Sequence, residues 1–346
     1  FVALVESDGV ASVRVLAVAA LKPLQDVGDE ACRATATIAH AAVHDASPLV
    51  RLEALKSLSS GVGIVISRVQ DTNPKVRKEA LKILGDVAPA RLAPRERLMI
   101  VQVGRNDPSP DVRAAFSSML CAEWVARHHG NDLTAAVAML SQGAVDASEG
   151  ADVANAALEH IFEVCASTGR SALGKAARAS LGAALPPVSA LIARAAEGAL
   201  TQATVFVWCA RLEHLSTKCD SARDEMRSGA ADYTAHDLDL IDEARNVLLP
   251  TLVEWFDLVT LAESGVPAGA PPSALGAQLL ILGKQLDFDD AALEVKVRAA
   301  LEARLCDDGT LGDAPSHVEL LLDVFVRTHS GFAACAGDLV RIVRSL

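Results

Sequence analysis

Four aspartate and arginine pairs recur at one fixed spacing in the first third of the chain. The arginine follows the aspartate by six residues in each copy: Asp8 and Arg14, Asp45 and Arg51, Asp71 and Arg77, Asp107 and Arg113. Each arginine comes directly after a valine, and a charge beside a buried apolar residue needs a partner. The nearest partner is the aspartate of its own turn or of the adjacent turn. Stacked copies would then form an aspartate-arginine ladder.

The residues around each pair predict the element that positions it. After the valine, apolar residues follow at four, five and eight positions, as in Val76, Ala80, Leu81 and Leu84, which is one face of a helix. Before the valine stand turn sequences such as Asp-Thr-Asn-Pro and Asp-Ala-Ser-Pro, in which proline suits a first helical turn. Each copy is therefore predicted to be a turn followed by an amphipathic helix.

The spacing between copies indicates the fold class. The four arginines are 37, 26 and 36 residues apart, which brackets the period of two-helix solenoid repeats. Hydrophobic residues make up 51% of the 346 residues and aromatic residues only 3%, so the core is predicted to consist of Ala, Leu and Val. No stretch alternates with period two. We predict an all-α protein, a HEAT/armadillo-type α-solenoid of stacked antiparallel helix pairs.

The chain is predicted to have four parts. Residues 1–130 hold the repeats with the Asp-x4-Val-Arg motif, 131–263 hold degenerate HEAT-like helices, 264–273 form a loop, and 274–346 hold further HEAT-like helices. A long helix is expected from about 188 to 214, and Pro250 should kink or split a later one. The chain lacks an initial Met and a repeat is under way by Asp8, so we expect a piece of a longer protein.

Charge is distributed unevenly along the chain, whose net charge is -12. Residues 68–113 carry 10 basic and 6 acidic groups, whereas residues 114–346 carry 17 and 31. Candidate phosphate-binding residues in the basic block are Arg68, Lys75, Lys78, Lys82, Arg91, Arg95, Arg97 and Arg105. Lys75, Lys78 and Lys82 are three and four residues apart and should share one helix face. An ordinary solvated face is the alternative interpretation.

Enzyme chemistry has little support in the residues. Gly169 to Ala176 imitates a phosphate-binding loop, but Ala176 stands where the motif needs Ser or Thr. His128 and His129 lack a carboxylate cluster to join them, and the seven cysteines are scattered without CxxC pairs. The longest uncharged run, Ser264 to Gly283, contains three prolines, which argues against a membrane helix. We predict no catalysis, no cofactor, no metal site, no small-molecule substrate and no membrane partner.

The chain resembles the condensin complex subunit 3 family, also called the chromosome-associated protein G family. The resemblance is carried by the order of the four repeats, the uneven 37, 26 and 36 spacing, and the Gln278-Leu279-Leu280 region. It implies a HEAT-repeat solenoid that binds the kleisin subunit of condensin, joins the SMC subunits through the complex, and holds double-stranded DNA in a basic groove. It also implies a nuclear, chromosomal and partly cytoplasmic protein acting in mitotic chromosome condensation.

Two other functions remain open from the residues. A general HEAT scaffold or adaptor, of the phosphatase-scaffold or transport-receptor type, would bind proteins without DNA. A nucleotide-dependent enzyme using Gly169 to Ala176 is the third. The first predicted function, a non-enzymatic condensin subunit that binds DNA without base readout, rests on the resemblance together with the basic block.

Overall fold

The computed structural model consists of helices joined by turns and short irregular segments. It describes residues 1–25, 32–141, 147–167, 172–229, 233–263, 274–283, 286, 291–305, 315–329 and 332–345. These residues form helices and no strand, so the all-α prediction is confirmed. The chain divides into two compact units, unit 1 from residue 1 to 181 and unit 2 from residue 182 to 346. The four parts predicted from the sequence stay a prediction, and the loop 264–273 lies outside the described residues.

Unit 1 is a stack of helix pairs. Its helices are α1 Val2–Ser7, α2 Ala11–Leu21, α3 Arg33–His44, α4 Pro48–Ser57, α5 Val62–Arg68, α6 Pro74–Asp86, α7 Pro94–Arg105, α8 Pro110–Ser118, α9 Leu133–Ser141, α10 Ala147–Ser167 and most of α11 Ala172–Ala184. Within the pairs, α1 packs on α2, α3 on α4, α5 on α6, α7 on α8 and α9 on α10. The second helices α2, α4, α6 and α8 also pack side by side in that order, which is the arrangement of a HEAT solenoid.

The turns that carry the aspartates determine where the second helices begin. Prolines occupy the first position of α4, α6 and α8, where a missing N–H costs nothing. The Asn73 side chain accepts the N–H of Lys75 at 2.9 Å and caps α6. From there the apolar face of α6 is fully buried, as Val76, Leu81 and Leu84 show. The predicted turn-plus-helix unit is therefore present.

Close approach of α7 to α8 requires glycine at position 104. A Cβ atom built on Gly104 would lie 2.4 Å from the Cδ2 atom of Phe116, and Phe116 is fully buried. After α8 the chain continues into a π-helical segment, Met119–Arg127, which turns Trp124 into the core. The Trp124 indole N–H donates at 3.1 Å to the Leu84 carbonyl near the end of α6, which also accepts the N–H of Val87 at 3.2 Å.

Unit 2 consists of longer helices around an aromatic and leucine-rich core. Its helices are α12 Val188–Ala196, α13 Gln202–Ser228, α14 Ala235–Leu248, α15 Leu252–Glu263, α16 Ala274–Gly283, α17 Ala291–Leu305, α18 Pro315–Arg327 and α19 Phe332–Ser345. Trp208, Trp255 and Phe325 are among its fully buried side chains. The Trp255 indole donates to the Leu279 carbonyl at 2.6 Å.

The single helix predicted from about 188 to 214 is wrong. The structure ends α12 at Ala196, because Gly198 has a φ of 68° that an L side chain rarely adopts, and begins α13 at Gln202. The Thr201 side chain accepts the N–H of Thr204 and starts the new helix. The break expected at Pro250 is present between α14 and α15.

Candidate nucleic-acid interface

Three rungs of an aspartate-arginine ladder join neighbouring repeats of unit 1. Each arginine donates from Nε and Nη2 to both carboxylate oxygens of the aspartate in the following turn. The Nε to Oδ2 distances are 2.8 Å for Arg14 and Asp45, 2.8 Å for Arg51 and Asp71, and 2.6 Å for Arg77 and Asp107. The second bonds are 2.7 to 2.8 Å long. These bidentate pairs lock the stacked turns in register.

The same side chains also hold their own turns. Each arginine donates from Nη1 to the backbone carbonyl of the aspartate six residues earlier, as Arg77 does to Asp71 at 2.9 Å. Each carboxylate accepts the N–H two residues on, for example from Asn73 to Asp71 at 2.8 Å. The two partners that the sequence left open, the own turn and the adjacent turn, are thus both used.

Burial alone would raise the pKa of the rung aspartates. The hydrogen bond from Arg51 and the N–H of Asn73 outweigh burial at Asp71, so its pKa lies below the usual value. The pKa of Asp45 and that of Asp107 are lowered for the same reasons. The rung carboxylates are therefore ionised at neutral pH, and their charge is neutralised by arginine. The ladder residues therefore stabilise the fold, and other side chains are the candidates for ligand contact.

Five of the eight candidate phosphate-binding residues are exposed: Lys75, Lys78, Lys82, Arg91 and Arg95. The three lysines lie on α6 on the side opposite its buried face. In the described part of unit 1, neither Lys75 nor Lys78 takes part in an ion pair. Lys82 lies 3.9 Å from Glu79, at the outer limit of an ion pair, and its side chain is 66% exposed. An exposed pair of this kind contributes little and leaves the ammonium group available.

The remaining three candidates are engaged within the fold. Arg97 is only 3% exposed and donates to the Met139 carbonyl, so its inclusion among surface cations was wrong. Its position explains this, since Val101 and Gly104 follow at four and seven residues and are buried on the same helix face.

Arg68 and Arg105 are half-buried and already hold oxygen atoms. Arg68 donates to the Val43 carbonyl at 3.1 Å and to Asp71 at 3.3 Å. Arg105 pairs with Glu159 and with Glu163 of α10. A phosphate would have to displace these partners, so we do not expect either arginine to be a principal contact.

Lys56 is a surface cation that sequence reasoning missed. It is exposed, lies five residues after Arg51, and therefore occupies the register of Lys82, which lies five residues after Arg77. Because α4 and α6 pack side by side, the two lysines occupy equivalent places on neighbouring helices. We call Lys56, Lys75, Lys78 and Lys82 the lysine row. Repeat register is the signal that would have found Lys56, whereas a linear charge count leaves it outside the basic block.

The lysine row has the composition of a phosphate-binding surface. The α6 members extend over seven residues, or about 10 Å along the helix axis. Lysine ammonium groups bind phosphate as mobile point charges and release counterions without reading bases. No carboxylate is in close contact with Lys75 or Lys78 among the described residues. The row can therefore bind a polyanion through its phosphate groups.

Ser117 and His160 of unit 1 are in hydrogen-bond contact, and Glu163 lies 3.9 Å from the other ring nitrogen of His160. Ser117 Oγ lies 2.8 Å from His160 Nε2 and 3.0 Å from the Arg113 carbonyl oxygen, to which it can also donate. Which atom donates between Ser117 and His160 depends on the His160 tautomer. Burial, followed by the charge of Arg105, lowers the pKa of His160 to about 4, so the ring is neutral.

The sequence also raised a phosphate-binding loop, a metal site and a membrane helix. Residues 168–171 of the loop-like stretch lie outside the described residues, and Lys175 lies in the first turns of α11. The described residues contain no group of three or more metal-ligating side chains. In that same part no single helix is long and apolar enough to span a membrane; Leu173–Ala184 and Val188–Ala196 would pass only as a broken pair.

Comparisons with known proteins support the resemblance. No protein-family model matches the chain. It is 28% identical over 221 residues to condensin complex subunit 3 of Homo sapiens, a match that covers 63% of this chain and 20% of the human protein. The chain also resembles a chain in the crystal structure of the S. pombe condensin Cnd3-Cnd2 subcomplex, with a TM-score of 0.67 and 19% identity.

The structural match covers 99% of this chain and 40% of the S. pombe chain. At that identity it bears on the fold, and it confirms the predicted helical solenoid. The similarity to condensin complex subunit 3 that the repeats suggested is also confirmed. The chain spans about a fifth of the length of its human relative.

Proposed function

We propose that this chain is part of a non-enzymatic HEAT-repeat subunit of condensin that binds the phosphate backbone of double-stranded DNA through its lysine row. The observation that carries the proposal is the exposure of Lys75, Lys78 and Lys82 on one face of α6, with Lys56 in register on α4. The similarity to human condensin complex subunit 3 supports duplex DNA as the polyanion that the lysine row binds.

The partners follow from the same similarity. The relative of known structure is described as a Cnd3-Cnd2 subcomplex, that is, a condensin subunit bound to a second one. We propose that this chain likewise binds a condensin kleisin subunit and meets the SMC subunits through the complex. Its place would then be the nucleus and the chromosome, with a cytoplasmic share, and its role mitotic chromosome condensation.

Salt-dependent binding to short duplex DNA tests the proposal. The affinity of the chain, alone and with the kleisin segment, should be indifferent to base sequence and fall with salt by a log-log slope of about 0.9 for each phosphate contacted. The double substitution Lys78→Glu/Lys82→Glu should weaken binding about equally for all sequences and flatten the slope.

The matched control makes the same change in net charge at lysines outside the row. Lys175→Glu/Lys296→Glu alters the net charge by the same amount at two exposed lysines outside the row. Equal weakening by both double variants would show that overall charge matters and the row does not. If the unmodified chain binds no DNA with or without kleisin, the protein is a HEAT scaffold for protein partners. Nucleotide binding that Lys175→Ala abolishes would favour the enzyme alternative.

A further inference from the structure

Helix α14 packs on α13 with one face and leaves its other face open. None of its residues is fully buried. On the inner side Asp242 pairs with Arg223 at 3.0 Å and lies 3.7 Å from Arg245, so the internal charges are matched there. On the outer side Leu240 is 50% exposed and Val247 is 71% exposed. The outer face is thus apolar in part, although no described residue of unit 2 covers it.

The exposed apolar residues lie in helical register. Leu240, Ala244 and Val247 are separated by four and three positions and form one stripe about 10 Å long. Single exposed leucines and valines are ordinary on a protein surface. A stripe at this spacing is different, because it is the pattern by which one helix packs on another.

Two carboxylates run alongside the stripe. Asp239 and Glu243 are both exposed, four residues apart, and neither forms an ion pair within the described part of the chain. Arg223 of α13 and Arg245 of α14 are occupied by Asp242. Unit 2 as a whole contains 13 basic and 24 acidic residues, so this face lies in a negative field.

We propose that the open face of α14 is a docking surface for a basic amphipathic helix of a partner protein. Leucine-like side chains of the partner would cover Leu240 and Val247, and its lysines or arginines would pair with Asp239 and Glu243. The apolar spacing fits a helix in a helix-packing mode. The carboxylates repel a nucleic acid, and two copies of this face would bring like charges together, so neither is the expected occupant.

A synthetic peptide of defined chemistry tests the surface. The probe is an 18-residue helix of leucine and lysine with leucines at helical spacing on one face, labelled with fluorescein and titrated with the whole chain while anisotropy is measured. The control peptide has the same composition but its leucines are distributed around the helix. We expect the control to bind at least tenfold more weakly. Equal binding would mean charge attraction alone and would overturn the proposal.

Variants of the chain locate the binding. Leu240→Ser/Val247→Ser leaves the charge unchanged and should lower the affinity for the amphipathic peptide at least tenfold, since central apolar anchors dominate such interfaces. Asp239→Lys/Glu243→Lys should lower this affinity several-fold and reduce the salt dependence of binding. The matched control is Val253→Ser/Val295→Ser, which alters two valines that are 51% and 60% exposed on α15 and α17.

Two results would overturn the assignment. If the α14 and control variants bind the peptide equally well, the stripe is not its site. If sedimentation shows that the unmodified chain dimerises and that Leu240→Ser/Val247→Ser abolishes the dimer, the face is covered by a second copy. Circular dichroism of each variant should match that of the unmodified chain, because all substituted side chains point to solvent.

Discussion

Unit 1 and unit 2 are both built from packed helices, but they hold them together differently. Unit 1 has 19 basic and 20 acidic residues, and its successive turns are joined by three bidentate rungs, of which the middle one is buried and the other two are partly buried. Unit 2 has 13 and 24. Its described ion pairs include Arg223 with Asp242, whose side chains are 39% and 34% exposed. Where the motif recurs, polar rungs set the register; where it fades, Trp208 and Trp255 anchor an apolar core.

The difference shows how a solenoid can change its means of stacking along one chain. A rung is directional and requires a partner at one position, so it conserves the geometry of each repeat. An apolar core makes no such demand on single positions, and the helices of unit 2 range from nine residues in α12 to 27 in α13. Unit 1 should therefore respond sharply to changes in single polar residues, and unit 2 to changes in shape and volume.

Removal of a rung carboxylate should produce the largest effect. Asp71 has a side chain that is 1% exposed, and Asp71→Ala would leave Arg51 buried without its partner. We expect the free energy of unfolding of unit 1 to fall by about 3–5 kcal/mol. Urea unfolding of the whole chain measures this.

The matched control for the rung is Asp8→Ala. Asp8 occupies the same place in its turn, but among the described residues its carboxylate holds only the N–H of Val10, at 2.8 Å. This variant should lose about 1 kcal/mol or less. Equal losses from the two substitutions would show that the turn, and not the rung, supplies the stability.

The dependence of stability on pH should distinguish the two units, because unit 1 contains the buried His160. The pKa of His160 is about 4 in the folded protein because of its burial, against an ordinary value of 6.5. The unfolded chain then binds the proton more readily between these values. The contribution of neutral His160 to the free energy of unfolding is fully present above pH 6.5. It falls by about 3 kcal/mol in total as the pH drops to 4.

The variant His160→Gln removes that titration. Its urea midpoint should change less than that of the unmodified chain between pH 6.5 and 4. The rung aspartates have lowered pKa values and begin to lose stability only as pH falls below their ordinary value of 3.8, so they do not account for this window. An unaltered pH profile in the variant would contradict the assignment.

Glycine substitutions test shape in both units. Gly104→Ala should cost about 1–3 kcal/mol, since its Cβ would lie 2.4 Å from buried Phe116. Gly283→Ala meets Trp255 at 2.7 Å in unit 2 and should cost a similar amount. Gly182 has open space around it within α11, so Gly182→Ala should instead stabilise by about 0.5–1 kcal/mol. Thermal unfolding of the three variants gives the order.

Tryptophan substitutions give the smallest contrast. Trp124→Phe and Trp255→Phe leave a carbonyl of a neighbouring helix without its indole donor, and each hydrogen bond contributes about 1 kcal/mol. Trp208 is equally buried, but its N–H has no hydrogen-bond partner within the described residues. Trp208→Phe should therefore cost less than the other two. A larger loss at Trp208 would mean that packing volume, and not the N–H, governs all three.

Much of unit 1 could be predicted from its sequence because the signals are local. Proline and aspartate mark each turn, and the apolar spacing that follows assigns Val76, Leu81 and Leu84 to one buried face. The ladder required one further step, the stacking of neighbouring turns. Long-range pairing was beyond reach, since Arg105 meets Glu159 across 54 residues.

The candidate surface was predicted less well, for two physical reasons. A basic residue on an amphipathic helix belongs to the face that its register gives it, and Arg97 lies in the register of buried Val101. A surface also joins helices that are distant in sequence, so Lys56 on α4 could be added only through the repeat register. In unit 2 the glycine at position 198 was the sequence signal for the helix break that the predicted long helix passed over, because glycine readily adopts the positive φ found there.

The ladder makes the turns of unit 1 interdependent. Asp71 fixes its own turn through the N–H of Asn73 and at the same time receives Arg51 from the preceding repeat. A turn that opens thus weakens its neighbour, which couples local unfolding from one repeat to the next as in a chain of nearest-neighbour switches. The backbone amides of Ser47, Asn73 and Ser109 should therefore exchange their hydrogens as one cooperative group, and tension applied along the stack would be shared among the rungs.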